Sequence, residues 1–396
     1  MTRIALVGLG KMGLSHLSLL RPLRGVEVVG VCDSTGYVLD VLGKYTGLPT
    51  FTDYAEMLRT AKPDAVVVAT PTHLHEPMVR AALEGGIHVF CEKPLVLDPV
   101  RGEALVRLAE EKGLVTQVGY HNRHVGSFQE AKRLLDLGAI GTVRGALAEA
   151  YGPVVVRTPG RSWRSRRGSG GGSLYDYAAH PLDLLTWYLG DPVSVNGAHL
   201  TSIHSTETDD AVAATISYTD ATAVLNVNWS DDSQRKMSTR ISLWGDAGRI
   251  NVDRYEAQVY LSGRAPVPEG YEEGWNVRYG TDLQPAPIFY VRGEEYSQQL
   301  EDFVRRVTEG DVEGVSTFAS ALATDRVIAA IRGADADPPR AVVVAAPDDG
   351  TTPHQPTATS GTDAVATARR AVGRVRAWLA SAVRAARRAA HDRRSA

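Results

Sequence analysis

Residues 4–13, with the sequence IALVGLGKMG, decide the fold of the N-terminal part of the chain. An apolar run leads into three glycines with the spacing GxGxxG, and the helical pattern KMGLSHLSLL continues from them. A strand that turns through such glycines into a helix is typical of a dinucleotide site, because the helix N-terminus offers free amides to the pyrophosphate. Gly8 permits the tight turn, Gly10 admits the pyrophosphate, and Gly13 lets helix and strand pack closely. The predicted cofactor contacts in this segment are Gly8, Gly10, Lys11, Met12 and Gly13.

An acidic residue, Asp33, ends the next apolar run, 20 residues after Gly13. A carboxylate at this position accepts hydrogen bonds from both ribose hydroxyls of the adenosine half and repels a 2′-phosphate. We therefore predict NAD as the cofactor, with NADP as the less favoured alternative. Ser34 follows Asp33 and is predicted to be a further cofactor contact, because its hydroxyl could bind a phosphate.

Apolar runs and helical patterns alternate up to about residue 121. This alternation predicts an α/β fold in which residues 1–121 form a Rossmann domain with a doubly wound parallel sheet. Cys32 and Cys91 fall in runs that we expect to be its second and fifth strands. In the strand order 3-2-1-4-5-6 these strands lie about 14 Å apart, too far for a disulfide. No CxxC pair exists to begin a zinc site, and we predict no metal.

The pattern changes after Gly126, and longer alternating strands run from Val193 to Leu261. We predict an α+β domain over residues 122–335, built on a large open and mostly antiparallel sheet. Helical patterns at residues 294–310 and 317–333 are expected to close this second domain.

The chain of 396 residues has a formal net charge of -3, 43% hydrophobic residues and no apolar run near the roughly 20 residues that span a bilayer. This composition excludes a membrane-spanning chain and a generally disordered one. The N-terminus lacks the charged region, apolar stretch and cleavage site of a secretory signal, so we expect a cytoplasmic protein.

The C-terminal part differs from the rest in composition. Residues 336–362 are rich in Pro, Asp, Thr and Ala, which predicts a disordered linker. Residues 363–396 contain nine Arg and two Asp, a net charge of +7, in an amphipathic helical pattern with an Ala-rich stripe. The preceding residues then carry -10, which argues against nucleic-acid binding by the core. The basic tail could pair in an oligomer, lie on an anionic membrane surface, contact a polyanion or stay solvated.

Two further segments carry reactive side chains. The EKP segment, residues 92–94, follows the fifth predicted strand, and the carboxyl ends of such strands border the ligand crevice. A lysine there can donate to a substrate oxygen and stabilise alkoxide charge. Asp176, His180 and Asp183 share one face if their segment is helical, and carboxylates beside a histidine suit it as a base. Each segment alone also fits an ordinary surface turn or ion pair.

Together these segments resemble the Gfo/Idh/MocA family of oxidoreductases, typified by glucose-fructose oxidoreductase and inositol 2-dehydrogenase. The resemblance covers residues 1 to about 335, and the combination of EKP with GGGxxxDxxxH is specific to the family. It implies an NAD(P)-dependent enzyme that transfers a hydride between nicotinamide and a secondary alcohol or ketone of a sugar, cyclitol or sugar derivative, nucleotide sugars included. The matching segments are IALVGLGKMG, VVVATPTHLHEPMVRAALEGGIHVFCEKPL, SFQEAKRLLDLGAIGTV and WRSRRGSGGGSLYDYAAHPLDLLTWYLG.

The resemblance also implies roles for individual residues of this chain. The catalytic set is Lys93, Asp176 and His180, with His180 as the base and Lys93 holding the substrate oxygen. A cis peptide is implied between Lys93 and Pro94. His75 fits a helix cap as well as a cofactor contact. The cofactor contacts implied around the nicotinamide are Thr70, Pro71, His75, Glu92 and Lys93.

By position, the residues just beyond the last Rossmann strand and those before the glycine run border the substrate. A basic run at residues 161–167 favours an anionic substrate such as a nucleotide sugar or sugar acid, while a solvated basic loop is the alternative. The predicted substrate contacts are Lys93, His121, Asn122, Arg123, Trp163, Arg164, Asp176 and His180.

Two other functions stay open at this point. Some proteins of this fold cleave glycosidic bonds with tightly held NAD and no net oxidation, and others have lost catalytic residues and sense sugars. The presence of Lys93, Asp176 and His180 argues against a sensing role here. The family and the exposed face expected for the second sheet imply a homodimer or homotetramer.

Overall fold

The computed structural model describes residues 1–157, 163–284 and 293–336. Two predicted segments lie outside these ranges: the linker at residues 336–362, except for its first residue, Ala336, and the basic helix at residues 363–396. Ala336 is the last residue of the last described helix. Among the described residues, none of the helices combines the length and the apolar character needed to cross a bilayer.

The first sheet contains six parallel strands joined by helices. The strands are β1 (Thr2–Val7), β2 (Val26–Cys32), β3 (Thr50–Phe51), β4 (Ala65–Val68), β5 (His88–Cys91) and β6 (Thr116–Val118). The connecting helices are α1 (Lys11–Leu20), α2 (Gly36–Thr46), α3 (Tyr54–Ala61), α4 (His75–Glu84) and α5 (Pro99–Glu111). The strand order is β3-β2-β1-β4-β5-β6, which confirms the predicted doubly wound Rossmann sheet.

Strand β3 and helix α3 are not predicted by the sequence pattern. β3 has only two residues, too few for an apolar run to be recognised. The two cysteines lie in β2 and β5, three strand spacings apart as predicted. Both Cys32 and Cys91 are buried free thiols.

The second sheet has eight strands. These are β7 (Val143–Tyr151), β8 (Ser194–Thr201), β9 (Ala211–Ser217), β10 (Thr222–Asn228), β11 (Ser238–Gly245), β12 (Gly248–Asp253), β13 (Glu256–Leu261) and β14 (Gly274–Tyr279). The remaining helices are α6 (Gly126–Asp136), α7 (Val154–Arg157), α8 (Ala179–Leu189), α9 (Gly280–Leu283), α10 (Glu294–Glu309) and α11 (Phe318–Ala336). The strand order is β14-β13-β12-β11-β7-β10-β9-β8. Only the β7–β10 pair is parallel among these strands, which confirms the mostly antiparallel sheet.

One face of the second sheet is covered by helices and the other is exposed. Side chains alternate between the faces with a period of two, so Ala223, Leu225 and Val227 of β10 are buried while Val224 is exposed. Helices α8 and α11 pack against β7 and β8. The strand register places Val277 of β14 on the same face as Val224. Trp275 and Tyr279, two residues away on either side, share that face, and all three side chains are exposed.

Helix α10 packs against the first sheet, although it follows the second sheet in sequence. Its Phe303 makes an edge contact with Phe90 of β5, with ring centroids 5.8 Å apart. Leu300 is buried in the same cluster as Ile4 and Leu6 of β1. The structure therefore differs from the expectation that this helix closes the second domain. The periodicity of a sequence predicts that a helix has an apolar face, but it does not predict which surface packs against that face.

A buried carboxylate on α11 reaches the loop that follows β5. Asp325 Oδ2 accepts the backbone N–H of Val96 at 3.0 Å, and its Oδ1 has no partner among the described residues. The guanidinium of Arg123 donates twice to Asp183 instead. Burial, together with the charge of Asp183, raises the pKa of Asp325 well above its usual value.

Replacing Asp325 by Asn should stabilise the fold near neutral pH, by about 1–3 kcal/mol. A carboxyl group with a raised folded pKa loses stability as the pH rises above its unfolded value of about 4, and an amide does not. Urea unfolding should show a larger gain at about pH 8 than at about pH 5. Asp40→Asn, on the exposed side of α2, is the control and should change little. Equal gains for Asp325→Asn at both pH values would contradict this account.

Candidate active site

The glycine turn follows β1 and opens α1. Gly8 has a φ of +93°, and a Cβ there would stand 2.6 Å from the carbonyl oxygen of Ala69. A Cβ on Gly13 would collide with the carbonyl of Gly8, so α1 can pack closely on β1 only with glycine there. The space in front of Gly10 is open, with no described atom within 4 Å of a Cβ position. That space fits a pyrophosphate held by the free amides of the first helical turn. The first residues of this turn are Lys11 and Met12.

Asp33 stands at the end of β2 beside this turn. Its Oδ2 accepts the Leu9 N–H at 2.6 Å, and its Oδ1 accepts the Thr35 N–H at 2.8 Å. These bonds hold a carboxylate next to the pyrophosphate space, where the adenosine ribose of a dinucleotide lies in this fold. Ser34 is exposed at the same strand end. The residues present therefore fit NAD.

Lys93 and Asp176 form a buried ion pair. Lys93 Nζ donates to Asp176 Oδ1 at 2.7 Å and to the backbone carbonyl of the same residue at 2.8 Å. The other carboxylate oxygen, Oδ2, accepts Arg164 Nε–H at 2.8 Å. Although burial alone favours the neutral acid, Lys93 and Arg164 hold the pKa of Asp176 well below its usual range. Each oxygen of the ionised carboxylate thus faces one cation.

His180 lies on α8 and is buried beside this pair. Its Nδ1 has no hydrogen-bond partner among the described residues. The rings of Tyr120 and His121 contact it edge-on, with centroids at 6.5 and 4.8 Å. Burial, followed by the positive charges of Lys93 and His121, lowers the pKa of His180 well below its usual value, against the opposing charge of Asp176. The ring is therefore neutral, which is the state that a general base needs.

The sequence predicts that two carboxylates flank His180 and orient its ring, whereas in the structure each of them is bonded to a cation. Asp176 faces the two cations, and Asp183 accepts two bonds from the Arg123 guanidinium at 2.7 and 2.9 Å. Asp176 lies in a π-helical turn, Leu174–Ala178, that precedes α8. The spacing of the carboxylates in the sequence does not show the cations that they meet in the fold.

The loop that carries Lys93 is held from the side by His75. The Lys93–Pro94 peptide is cis, which confirms the expectation drawn from the resemblance. His75 Nδ1 lies 2.9 Å from the Pro94 carbonyl oxygen, and its Nε2 lies 2.9 Å from that of Thr70. Burial lowers the pKa of His75, and a neutral ring donates only one of these two bonds. The His75 ring therefore lies between the loop containing Thr70 and Pro71 and the Lys93 loop and donates to one of them, and its side chain does not cap α4.

His16 lies beside the candidate site, although the sequence does not predict it there. It is buried on α1, and its Nε2 lies 2.7 Å from Glu92 Oε1. The other Glu92 oxygen accepts the backbone N–H of Lys93 at 3.3 Å. Although burial opposes ionisation, the bond from His16 and the nearby positive charges lower the pKa of Glu92. This pair joins the cofactor helix to the Lys93 loop. Its only sequence signal is a histidine within the apolar stripe of KMGLSHLSLL, where a core residue is the usual interpretation.

The three residues predicted beyond β6 point in different directions. His121 packs against His180 and so reaches the cluster of Lys93, Asp176 and His180. Arg123 is buried, with its charge directed at Asp183. The side-chain Nδ2 of Asn122 is buried and has no partner among the described residues. Of the three, His121 therefore lies where it can border a substrate.

The basic run does not converge on one point. Arg164 turns inward, and its guanidinium carbon lies 4.9 Å from the ring centroid of Trp163. Arg166 is exposed, and Arg167 donates to a backbone carbonyl. Arg161 lies outside the described residues. In the described part of the run, a single guanidinium, that of Arg164, is bonded to Asp176.

Two family models match this chain. An oxidoreductase family model with an NAD-binding Rossmann fold, GFO_IDH_MocA, matches residues 2–120, and the GFO/IDH/MocA C-terminal domain model matches residues 128–251. The chain belongs to the Gfo/Idh/MocA family. The resemblance seen in the sequence is confirmed, and the protein is an NAD-binding oxidoreductase.

Named relatives are similar to this chain over most of its length. The 2,7-anhydro-N-acetylneuraminate hydratase of Mediterraneibacter gnavus is 26% identical over 340 residues, covering 78% of this chain and 89% of that protein. The scyllo-inositol 2-dehydrogenase (NAD(+)) of Bacillus subtilis is 27% identical over 337 residues, covering 83% of this chain and 92% of that protein. The crystal structure of GenD2 from gentamicin A biosynthesis, in complex with NAD, is similar with a TM-score of 0.69 at 26% identity. That similarity covers 85% of this chain and 94% of the other.

Replacing Gly172 by Ala should destabilise the protein by about 2 kcal/mol or more. Gly172 has a φ of +111°, and a Cβ there would collide with the Asp209 carboxylate. That carboxylate accepts the Ser173 hydroxyl at 2.9 Å and the Leu174 N–H at 2.7 Å, at the start of the π-helical turn. Gly168→Ala is the matched control, because no described atom lies within 4 Å of its Cβ position. Equal urea unfolding midpoints for the two variants would contradict this reading.

Proposed function

We propose that this protein transfers a hydride between NAD and a secondary alcohol or ketone of a sugar, cyclitol or sugar derivative. The observation that carries the proposal is the cluster of Lys93, Asp176 and His180 beside the end of β5, where doubly wound sheets bind their ligands. A neutral imidazole can accept a hydroxyl proton and an ammonium group held by a carboxylate can stabilise alkoxide charge, which are two of the tasks in alcohol oxidation. The name of the Bacillus subtilis relative, a scyllo-inositol dehydrogenase, supports a polyol substrate.

In the oxidation direction, His180 accepts the proton of the substrate hydroxyl through its neutral ring. NAD, when bound, supplies the nicotinamide carbon that takes the hydride from the same substrate carbon. Lys93 donates a hydrogen bond to the substrate oxygen and stabilises the developing alkoxide charge while the C–O bond becomes a carbonyl. Asp176 orients Lys93. In the reduction direction, His180 returns the proton to the oxygen.

The remaining site residues divide between the two ligands. For the cofactor, Asp33 favours NAD over NADP, because its carboxylate repels a 2′-phosphate. The other proposed cofactor contacts are the glycine turn, Ser34, Thr70, Pro71, His75 and Glu92. For the substrate we propose that the rings of His121 and Trp163 form part of the wall. Arg123 is buried in its ion pair with Asp183, which argues for a supporting role rather than direct contact.

A redox-neutral reaction is the second candidate. The Mediterraneibacter gnavus relative is a hydratase by name, and hydration involves no net oxidation. The same base and lysine could oxidise a sugar and reduce it again within one cycle. A sensing role is less well supported, because Lys93, Asp176 and His180 are all present.

We further propose a homodimer or homotetramer formed through the outer face of the second sheet. Trp275 is 60% exposed there, and Val277 and Tyr279 lie beside it on the same strand. Exposed apolar patches of this kind often mark association surfaces. The free buried thiols fit a reducing compartment, and we propose the cytoplasm. For the basic residues 363–396, the sequence supports contact with an anionic surface or partner.

A panel of cyclitols, free sugars, glycosides and nucleotide sugars, each assayed with NAD and with NADP, tests the reaction class. We expect NADH absorbance to rise with at least one cyclitol, sugar or nucleotide sugar, and NAD to be used in preference to NADP. Product formed from a glycoside without any NADH would favour the redox-neutral candidate. No product from any member of the panel would overturn the proposal.

Lys93→Met and His180→Ala should each lower kcat by about 10²-fold or more while leaving NADH binding unchanged, because both groups act on the substrate rather than the cofactor. NADH fluorescence titration measures the binding. Lys112→Met and His204→Ala, which change exposed residues of the same types, serve as matched controls. Full turnover in either active-site variant would remove that residue from the mechanism.

The pH profile of the oxidation reports on His180. Because burial and the charges of Lys93 and His121 lower the pKa of His180, its base form should persist below about pH 6.5. The acid limb of kcat/KM should therefore lie below that value, with activity lost only as the pH falls through the lowered pKa. An acid limb at about pH 7 or above would contradict a neutral, desolvated base.

A further inference from the structure

Asp176 is shared by two cations that come from different parts of the chain. Lys93 follows β5 of the first sheet, whereas Arg164 lies in the short turn Trp163–Ser165 before the glycine run. The carboxylate gives Oδ1 to Lys93 at 2.7 Å and Oδ2 to Arg164 at 2.8 Å. Both carboxylate oxygens therefore accept a bond from a cation, and neither is bonded to Nδ1 of His180.

The Arg164 side of this arrangement is built into the loop. The Gly172 N–H donates to the Arg164 carbonyl at 3.1 Å, which closes the loop onto the start of the π-helical turn. The Trp163 ring packs against the guanidinium. Arg164 is 39% exposed at its side chain, whereas that of Asp176 is 9% exposed, so Arg164 is the outer member of the group. An outer residue can be replaced without opening a cavity in the core.

We propose that Arg164 is a positioning residue that fixes the Asp176 carboxylate on Lys93 and keeps it away from His180. This inference rests on the proposed function, since it gives Asp176 the task of orienting the lysine rather than the histidine. Two of the three Lys93 Nζ hydrogens are directed at Asp176, one at Oδ1 and one at the backbone carbonyl. The third has no partner among the described residues and can meet the substrate oxygen.

The charges around the two titrating groups give the inference a pH signature. Asp176 faces Lys93 and Arg164, and His180 faces Lys93, His121 and Asp176. Without the guanidinium, one carboxylate oxygen is released and can turn toward the unpartnered Nδ1 of His180. A carboxylate beside the ring stabilises its protonated form, so the base would be lost at a higher pH.

The test compares Arg164→Ala and Arg164→Lys with the wild type and with Arg166→Ala, an exposed arginine of the same loop. For each we would measure kcat and KM against pH with a substrate from the panel, and NADH binding by fluorescence. The titration of the His180 ring, followed by NMR after histidine-selective labelling, needs no turnover.

For Arg164→Ala we expect kcat to fall about 10²-fold with NADH affinity unchanged. The acid limb of the profile and the His180 titration should both move up by about one pH unit. Arg164→Lys should restore part of kcat, because a cation remains, and Arg166→Ala should match the wild type. Guanidinium added to Arg164→Ala should also restore part of the rate.

Unchanged pH behaviour in Arg164→Ala would overturn the inference, whether or not kcat falls. A rise in substrate KM alone would equally overturn it and would make Arg164 a substrate contact. Failure of the proposed function gives a different result, because the wild type would then turn over no substrate. The titration of His180 in Arg164→Ala would still test the role of Arg164 in that case.

Discussion

The buried ion pair between Lys93 and Asp176 is the contact on which the rest of the site depends. It joins the end of β5 in the first sheet to the π-helical turn before α8, which packs on the second sheet. Loss of Asp176 would leave Lys93 without its carboxylate, and an uncompensated buried charge costs about 3–5 kcal/mol. The fold must therefore bring both groups together and supply enough polar contacts to keep each of them ionised.

Each partner of the ion pair has its own support. On the side of the first sheet, His75 lies between the loops after β4 and β5, and Glu92 is bonded to His16 of α1. On the side of the second sheet, the Asp209 carboxylate holds the start of the π-helical turn. Gly172 leaves room for this carboxylate. Because α1 also forms the wall of the pyrophosphate space, the cofactor side and the lysine share one rigid element. Buried polar contacts of this kind hold a site in one geometry.

Features that depend on neighbours in sequence were predicted well. The strand order, the glycine turn and the cis peptide at Lys93 all follow from local patterns or from the family resemblance. The position of strand β3, the presence of strand β14 and the packing of α10 were not predicted, because a two-residue strand, an exposed edge strand and the target of an apolar helix face depend on distant partners. His16 was missed for a related reason. A histidine in an apolar stripe is interpreted as core until the carboxylate of Glu92 is found beside it.

By itself the sequence determined the Rossmann domain and the open second sheet, and it predicted the residues of the NAD site and the candidate catalytic side chains, because glycine spacing, apolar periodicity and residue identity are local properties. Only the tertiary structure decided which charges meet. Asp176 faces Lys93 and Arg164, and Asp183 faces Arg123, so that His180 stays neutral without a carboxylate bonded to its Nδ1. The strength of a charge pair depends on distance and desolvation, and for groups 60 to 83 residues apart the folded chain alone sets both.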